Sequence, residues 1–203
     1  MALISNGSTI FDAGAMAAGF GGSMTFIKKL TANNSANLTF VGGASGVVLD
    51  NSFKEYMFTF NNMHPQNDQI DFLFDFSVDG GSNYGVTKTS SCIIAYNAEG
   101  GAGQGLQYNS NQDLAQGTDF DFVVSDVGNE ADEAASGSMT LFNPSSTTFV
   151  KNYLIRAHIG NGFYAQDELK AGYGNTTSAI NAVQFKFLSG NIESGDICLY
   201  GIA

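Results

Sequence analysis

The stretch Ile70-Asp71-Phe72-Leu73-Phe74-Asp75-Phe76-Ser77-Val78 sets large apolar residues at every second position. Side chains of an extended strand point to opposite faces with a period of two. Ile70, Phe72, Phe74, Phe76 and Val78 therefore share one face, and Asp71, Asp75 and Ser77 share the other. A helix would scatter the same residues around its circumference. The run predicts a strand buried on one side only, with Asp71 and Asp75 in solvent. Asp79-Gly80-Gly81-Ser82-Asn83-Tyr84 follows as a turn, and residues 85–96 read as a second strand, so the pair predicts a hairpin.

Period two governs most of the remaining chain. Residues 56–63 form another Phe-rich run, stopped at His64-Pro65 because proline has no amide to donate. Further strands are expected over 24–30, 37–41, 46–49, 119–125, 138–143, 148–158, 163–172, 181–188 and 195–202. The last two flank a bend at Ser189-Gly190-Asn191, with Gly201 placed to admit a close backbone approach. Residues 13–18 are the best helix candidate, weakened by Gly14 and by the glycines of 19–22. About a dozen short strands joined by Gly/Asn/Ser turns predict an all-β, antiparallel β-sandwich, jelly-roll-like, forming a single domain over residues 24–203. Residues 1–23, apolar and Gly-punctuated, are expected to be an N-terminal arm or a first strand.

Composition narrows the function. The 203 residues hold 8 Lys+Arg against 19 Asp+Glu, a formal net charge of −11. Binding to nucleic acid is driven by Lys and Arg, so it is not expected. Only 13% of residues are charged, while 25 Gly, 19 Asn, 19 Ser and 13 Thr supply a neutral polar surface. No run approaches the roughly 20 apolar residues of a membrane-spanning helix, and the N-terminus lacks the basic start of a secretory signal. Cys92 and Cys198, each among apolar neighbours, read as free buried thiols.

The residues that carry chemistry are sparse. His64 and His158 are the only histidines, and each reads as structural or superficial. The nucleophile elbow is absent, since Val47 follows Gly43-Ala44-Ser45-Gly46 where a glycine belongs. The Gly-rich loop 99–105 has no Lys and no following helix, so it is not a phosphate cradle. Asp71 and Asp75 lie about 13 Å apart along a strand, too wide for a glycosidase pair. Asp126, Glu130, Asp132 and Glu133 read as an acidic solvated loop rather than a Ca²⁺ site. Tyr84, Tyr96, Tyr108, Tyr164 and Tyr173 fall near strand ends, where packing and sugar stacking are both open. No catalytic, cofactor-binding or metal-ligating residue is assigned.

Residues 140–151, 182–192 and 194–202, together with the 79–84 turn and 38–45, resemble a group of small virion-associated proteins of tailed bacteriophages, marine ones included. The resemblance implies a structural virion component, made in the host cytoplasm, and maps no active site. The expectation is a capsid decoration or cement protein, not an enzyme, with the major capsid protein as partner and a homotrimeric state. The alternative is a tail appendage or receptor-binding module that recognises host-surface glycans. An enzyme on a β scaffold, such as a glycan depolymerase, is the third reading.

Overall fold

A computed structural model describes residues 23–203 throughout. Ahead of them it describes the backbone of β1 (Leu3–Ser5), β2 (Ser8–Asp12) and β3 (Ala15–Met16), an antiparallel three-stranded sheet. The rest of the expected N-terminal arm lies outside the described residues. So does the helix candidate over 13–18, apart from Ala15–Met16 in β3. There follow β4 (Met24–Ser35), β5 (Leu38–Val41), β6 (Glu55–Pro65), β7 (Ile70–Ser77), β8 (Lys88–Ala98), β9 (Gln104–Tyr108) and β10 (Ala115–Gly117). The chain ends with β11 (Asp121–Val127), β12 (Ala134–Phe142), β13 (Lys151–Gly160), β14 (Tyr164–Gly174), β15 (Ala182–Phe187) and β16 (Ile192–Ile202). Among the described residues there is no helix, hence none long and apolar enough to cross a membrane.

Two antiparallel sheets form a sandwich. The larger has nine strands in the order β10-β8-β14-β13-β12-β6-β16-β4, with β9 also pairing β8; the smaller has the order β11-β7-β15-β5. Alternating phenylalanines glue them. Phe72 of β7 packs on Phe60 of β6, Phe185 of β15 on Phe58 and Phe60, Phe187 on Phe72, and Phe74 and Phe76 on Tyr153 of β13, all of them buried. Phe185 sits at the hub, with its ring 5.3 Å from Phe58, 5.2 Å from Phe60 and 6.1 Å from Phe72. Such edge, tilted and stacked contacts between rings add to the apolar burial that holds the layers together.

Successive strands cross between the layers, which overturns the expected hairpin. β7 and β8 are not a hairpin: β7 lies inside the four-stranded sheet and β8 in the nine-stranded one, with residues 78–87 passing between them. A turn signal reports a reversal but not the layer in which the chain resumes. The strands flanking the 189–191 bend also part: β15 and β16 lie in opposite sheets, and β16 runs between β6 and β4. Gly201 of β16 does meet a close neighbour, but it is a ring: a Cβ there would lie 2.3 Å from Phe53 Cδ2. Residues 46–49 are turn and irregular backbone instead of a strand, with Gly46 at φ +81° and with Val47 and Leu49 buried.

The interior has a second zone. Beyond the phenylalanines, the inward faces of β13, β14 and β8 carry Lys151, Tyr153, Gln166, Glu168, Lys170, Lys88, Ser90 and Cys92, all buried. The expected solvated face of β7 is also wrong. Asp75 and Ser77 are buried, Asp71 is half-buried, and Val78, expected inside, is exposed. Asp75 is inside because Lys88, arriving from the other sheet, supplies its counter-charge.

Candidate functional site

The buried polar zone satisfies itself almost completely. Tyr153 donates its hydroxyl to Asp121 Oδ2 at 2.6 Å, and Lys170 Nζ meets Asp121 Oδ1 at 2.7 Å. Glu168 Oε1 accepts from the Ser125 amide (2.9 Å), the Ser125 hydroxyl (2.6 Å) and Gln166 Nε2 (2.8 Å). Lys151 Nζ donates to the carbonyls of Phe149 (2.6 Å) and Thr176 (3.2 Å). Burial dominates the electrostatics. It pushes the Glu168 carboxyl up, the Lys151 ammonium down and the Cys92 thiol up to about 12, with the Glu168 charge adding to the last. Burial likewise raises the Asp75 carboxyl to about 6, against the pull of Lys88 and the Phe76 amide, with Asp121 reinforcing the rise. These groups are spent on each other.

The outward face of the nine-stranded sheet is different. Register aligns Ser91, Ala171, Leu154, Thr140, Met57, Tyr200 and Phe26 in one row across seven strands, from β8 to β4. None of the seven is charged. The adjacent row runs Tyr108, Ile93, Leu169, Arg156, Ser138, Thr59 and Cys198. It continues onto β4 at Lys29, and both of its charges are paired: Arg156 bidentately by Asp167, with Nη2 at 2.8 Å and Nε at 3.1 Å, and Lys29 by Asp196 at 3.3 Å. Phe26 stands edge-on to Tyr200 at 5.7 Å. Ile93, Leu154, Leu169 and Phe26 are 44%, 52%, 45% and 57% exposed. Between the strands lies a hollow of about 350 Å³ walled by Ile93, Leu154, Leu169, Ala171 and Thr140. A second of about 500 Å³ adjoins it at Ser138 and Arg156 and reaches Ser136, His158 and Asp167.

The other sequence candidates disperse. His64 Nδ1 lies 2.7 Å from the Glu133 carbonyl and its Nε2 3.5 Å from Glu193 Oε2, while His158 Nδ1 lies 3.2 Å from the Gln166 carbonyl. Among the described residues no hydroxyl or thiol hydrogen-bonds to either ring. Asp71 and Asp126 meet through the Asp126 amide at 3.2 Å, and burial raises both carboxyls. In the acidic segment Glu133 is buried and turns back to accept the Glu130 amide at 3.0 Å. Asp126, Glu130, Asp132 and Glu133 do not converge on a cation site, and no metal-holding cluster occurs among the described residues. The Gly-rich 99–105 segment is a turn leading into β9. Tyr96 and Tyr164 pack edge-to-face at 5.7 Å, with Gly105 beneath the Tyr96 ring; Tyr108 is exposed and bonded to Asp113. Tyr84 has a buried hydroxyl without a partner, and Tyr173 accepts from Gln116 at 3.4 Å. Cys92 and Cys198 are both free; Cys92 is buried beside Gln112 and Glu168 rather than among apolar groups, and Cys198 is half-exposed.

Sequence reasoning missed the outer face. Its signal was β14, Gln166-Asp167-Glu168-Leu169-Lys170-Ala171, whose pattern is inverted, with Gln166, Glu168 and Lys170 inside and Leu169 outside. No protein-family model, curated protein or solved structure matches the chain.

Proposed function

We propose that this chain is a structural virion protein of a tailed bacteriophage, a decoration or cement protein that docks onto the outer capsid shell through the outward face of its nine-stranded sheet. The observation that carries the reading is the seven-strand row without a charge, on a chain whose net charge is −11. Repulsion keeps the acidic surfaces apart from one another, and the neutral face is where another protein approaches without penalty. At ~4.8 Å per strand the row is about 30 Å long, and two rows with their flanks cover on the order of 500 Å². Counting both partners, that is about 1,000 Å², the low end for a specific contact. Such a contact is weak for one copy and durable when many copies, or the three arms of a trimer, engage a repeating shell together.

The wiring is consistent with this setting. Taken without β8–β10, β13 and β14, the sheets order as β4-β16-β6-β12 and β5-β15-β7-β11, with the chain crossing between them as in a jelly roll. That architecture recurs in viral capsid proteins, although a fold alone does not assign a role. The test is antibody labelling of particles of the phage that encodes the chain. Label over the head at fixed copy number is the expected result; label confined to the tail tip, or none, overturns it.

One observation favours glycan recognition at the tail as a second reading. The 500 Å³ hollow presents Ser136, Ser138, Arg156, His158 and Asp167, hydrogen-bonding groups of the kind that sugar hydroxyls meet. Binding on a glycan array that is lost in Arg156→Ala separates this reading from shell docking.

A further inference from the structure

We infer that Lys88 and Asp75 condense into an intramolecular amide that ties β7 to β8 and thereby staples the two sheets. The ammonium and the carboxyl are in direct contact, and both side chains are 0% exposed. Each has a second partner: Lys88 Nζ donates to the Val86 carbonyl at 2.9 Å, and Asp75 Oδ1 accepts the Phe76 amide at 2.7 Å. Asp75 Oδ2 has none, and it is one of two buried side-chain polar atoms left unpartnered among the described residues. An ion pair held here keeps two charges out of water and leaves one carboxylate oxygen unsatisfied, which is costly on both counts.

Condensation removes each cost. Within the pair the proton passes from ammonium to carboxylate, giving a neutral amine beside a neutral acid. Burial favours that state and already holds the Asp75 carboxyl well above its ordinary range. Nζ attacks Cγ, the Nζ–Cγ bond forms and the Cγ–Oδ2 bond breaks. Oδ2 leaves as water, carrying the acid proton and one proton from Nζ. The product is neutral and satisfied, because the amide N–H keeps the Val86 carbonyl and the amide oxygen, formerly Oδ1, keeps the Phe76 amide. The atom expelled is the one that had no partner. Contact fixed by the fold supplies the proximity term, an effective molarity on the order of 10⁵–10⁸ M for well-oriented groups.

The experiment is intact mass measurement of the denatured full-length protein, with a tryptic map. The wild type is expected one water lighter than its sequence. It should resist cleavage after Lys88, so that residues 55–151 emerge as one peptide between the cuts at Lys54 and Lys151. Lys88→Met should regain the full sequence mass. A wild type of full mass that is cut at Lys88 overturns the inference. So does a K88M protein that is still one water lighter, because the loss then lies elsewhere. The wild-type map decides the matter even where K88M fails to fold.

Discussion

Tyr153 of β13 donates its phenolic proton to Asp121 Oδ2 of β11 across 2.6 Å, joining the nine-stranded sheet to the four-stranded one. Lys170 holds the other oxygen of the same carboxylate at 2.7 Å. Tyr153→Phe leaves Asp121 charged, buried and short of one donor, and should cost about 1–3 kcal/mol. Lys170→Met removes the counter-charge and should cost about 3–5 kcal/mol. Urea midpoints with unchanged slopes measure both. Equal losses would show that the ion pair and the hydroxyl are not ranked as described.

Glu168 supplies the clearest pH dependence. Burial raises its carboxyl above the ordinary 4.5 despite three donors on Oε1, so the folded state holds its proton more tightly than the unfolded chain does. Stability therefore falls as pH rises through the folded value, because the native state binds the extra proton. Glu168→Gln keeps an oxygen for the three donors and cannot ionise. The stability of the wild type relative to E168Q should be greatest below pH 4.5 and should decrease above it. Urea unfolding of both proteins from about pH 4 to pH 8 checks this, and a flat or rising difference contradicts it.

The two thiols should differ sharply. Cys92 is fully buried and burial pushes it up to about 12, with Glu168 adding to the rise, whereas Cys198 is half-exposed on the outer face. A thiol reagent at about pH 8 acts on the thiolate and needs access, so the native protein should titrate one thiol and the denatured protein two. Rapid labelling of both in the native state would refute the buried placement of Cys92.

Much of the sandwich was legible because period two is a local property. Phe72, Phe74 and Phe76, and Phe185 and Phe187, face the core as their spacing requires. Layer assignment was not legible. Whether β8 pairs β7 depends on β14, some 70 residues further on, and no turn residue encodes that partner. Asp75 was misread for a related reason, and Glu168 went unread. A carboxylate is sent outward by its own hydration and inward only by partners, here Lys88 and Ser125, that lie far off in sequence or on another sheet. The outer face stayed hidden because only the assembled sheets show that Tyr153 and Glu168 take the inside and leave Leu154 and Leu169 outside.

The proposal that the outer face docks is tested most directly by co-sedimentation of the purified protein with capsids that lack it, comparing wild type with the Leu154→Asp/Leu169→Asp double variant. Both residues are about half exposed, so the variant should unfold at a urea concentration close to that of the wild type. The wild type should pellet with capsids and saturate at a fixed copy number, and the variant should stay in the supernatant. Equal pelleting of the two proteins would contradict the assignment of this face.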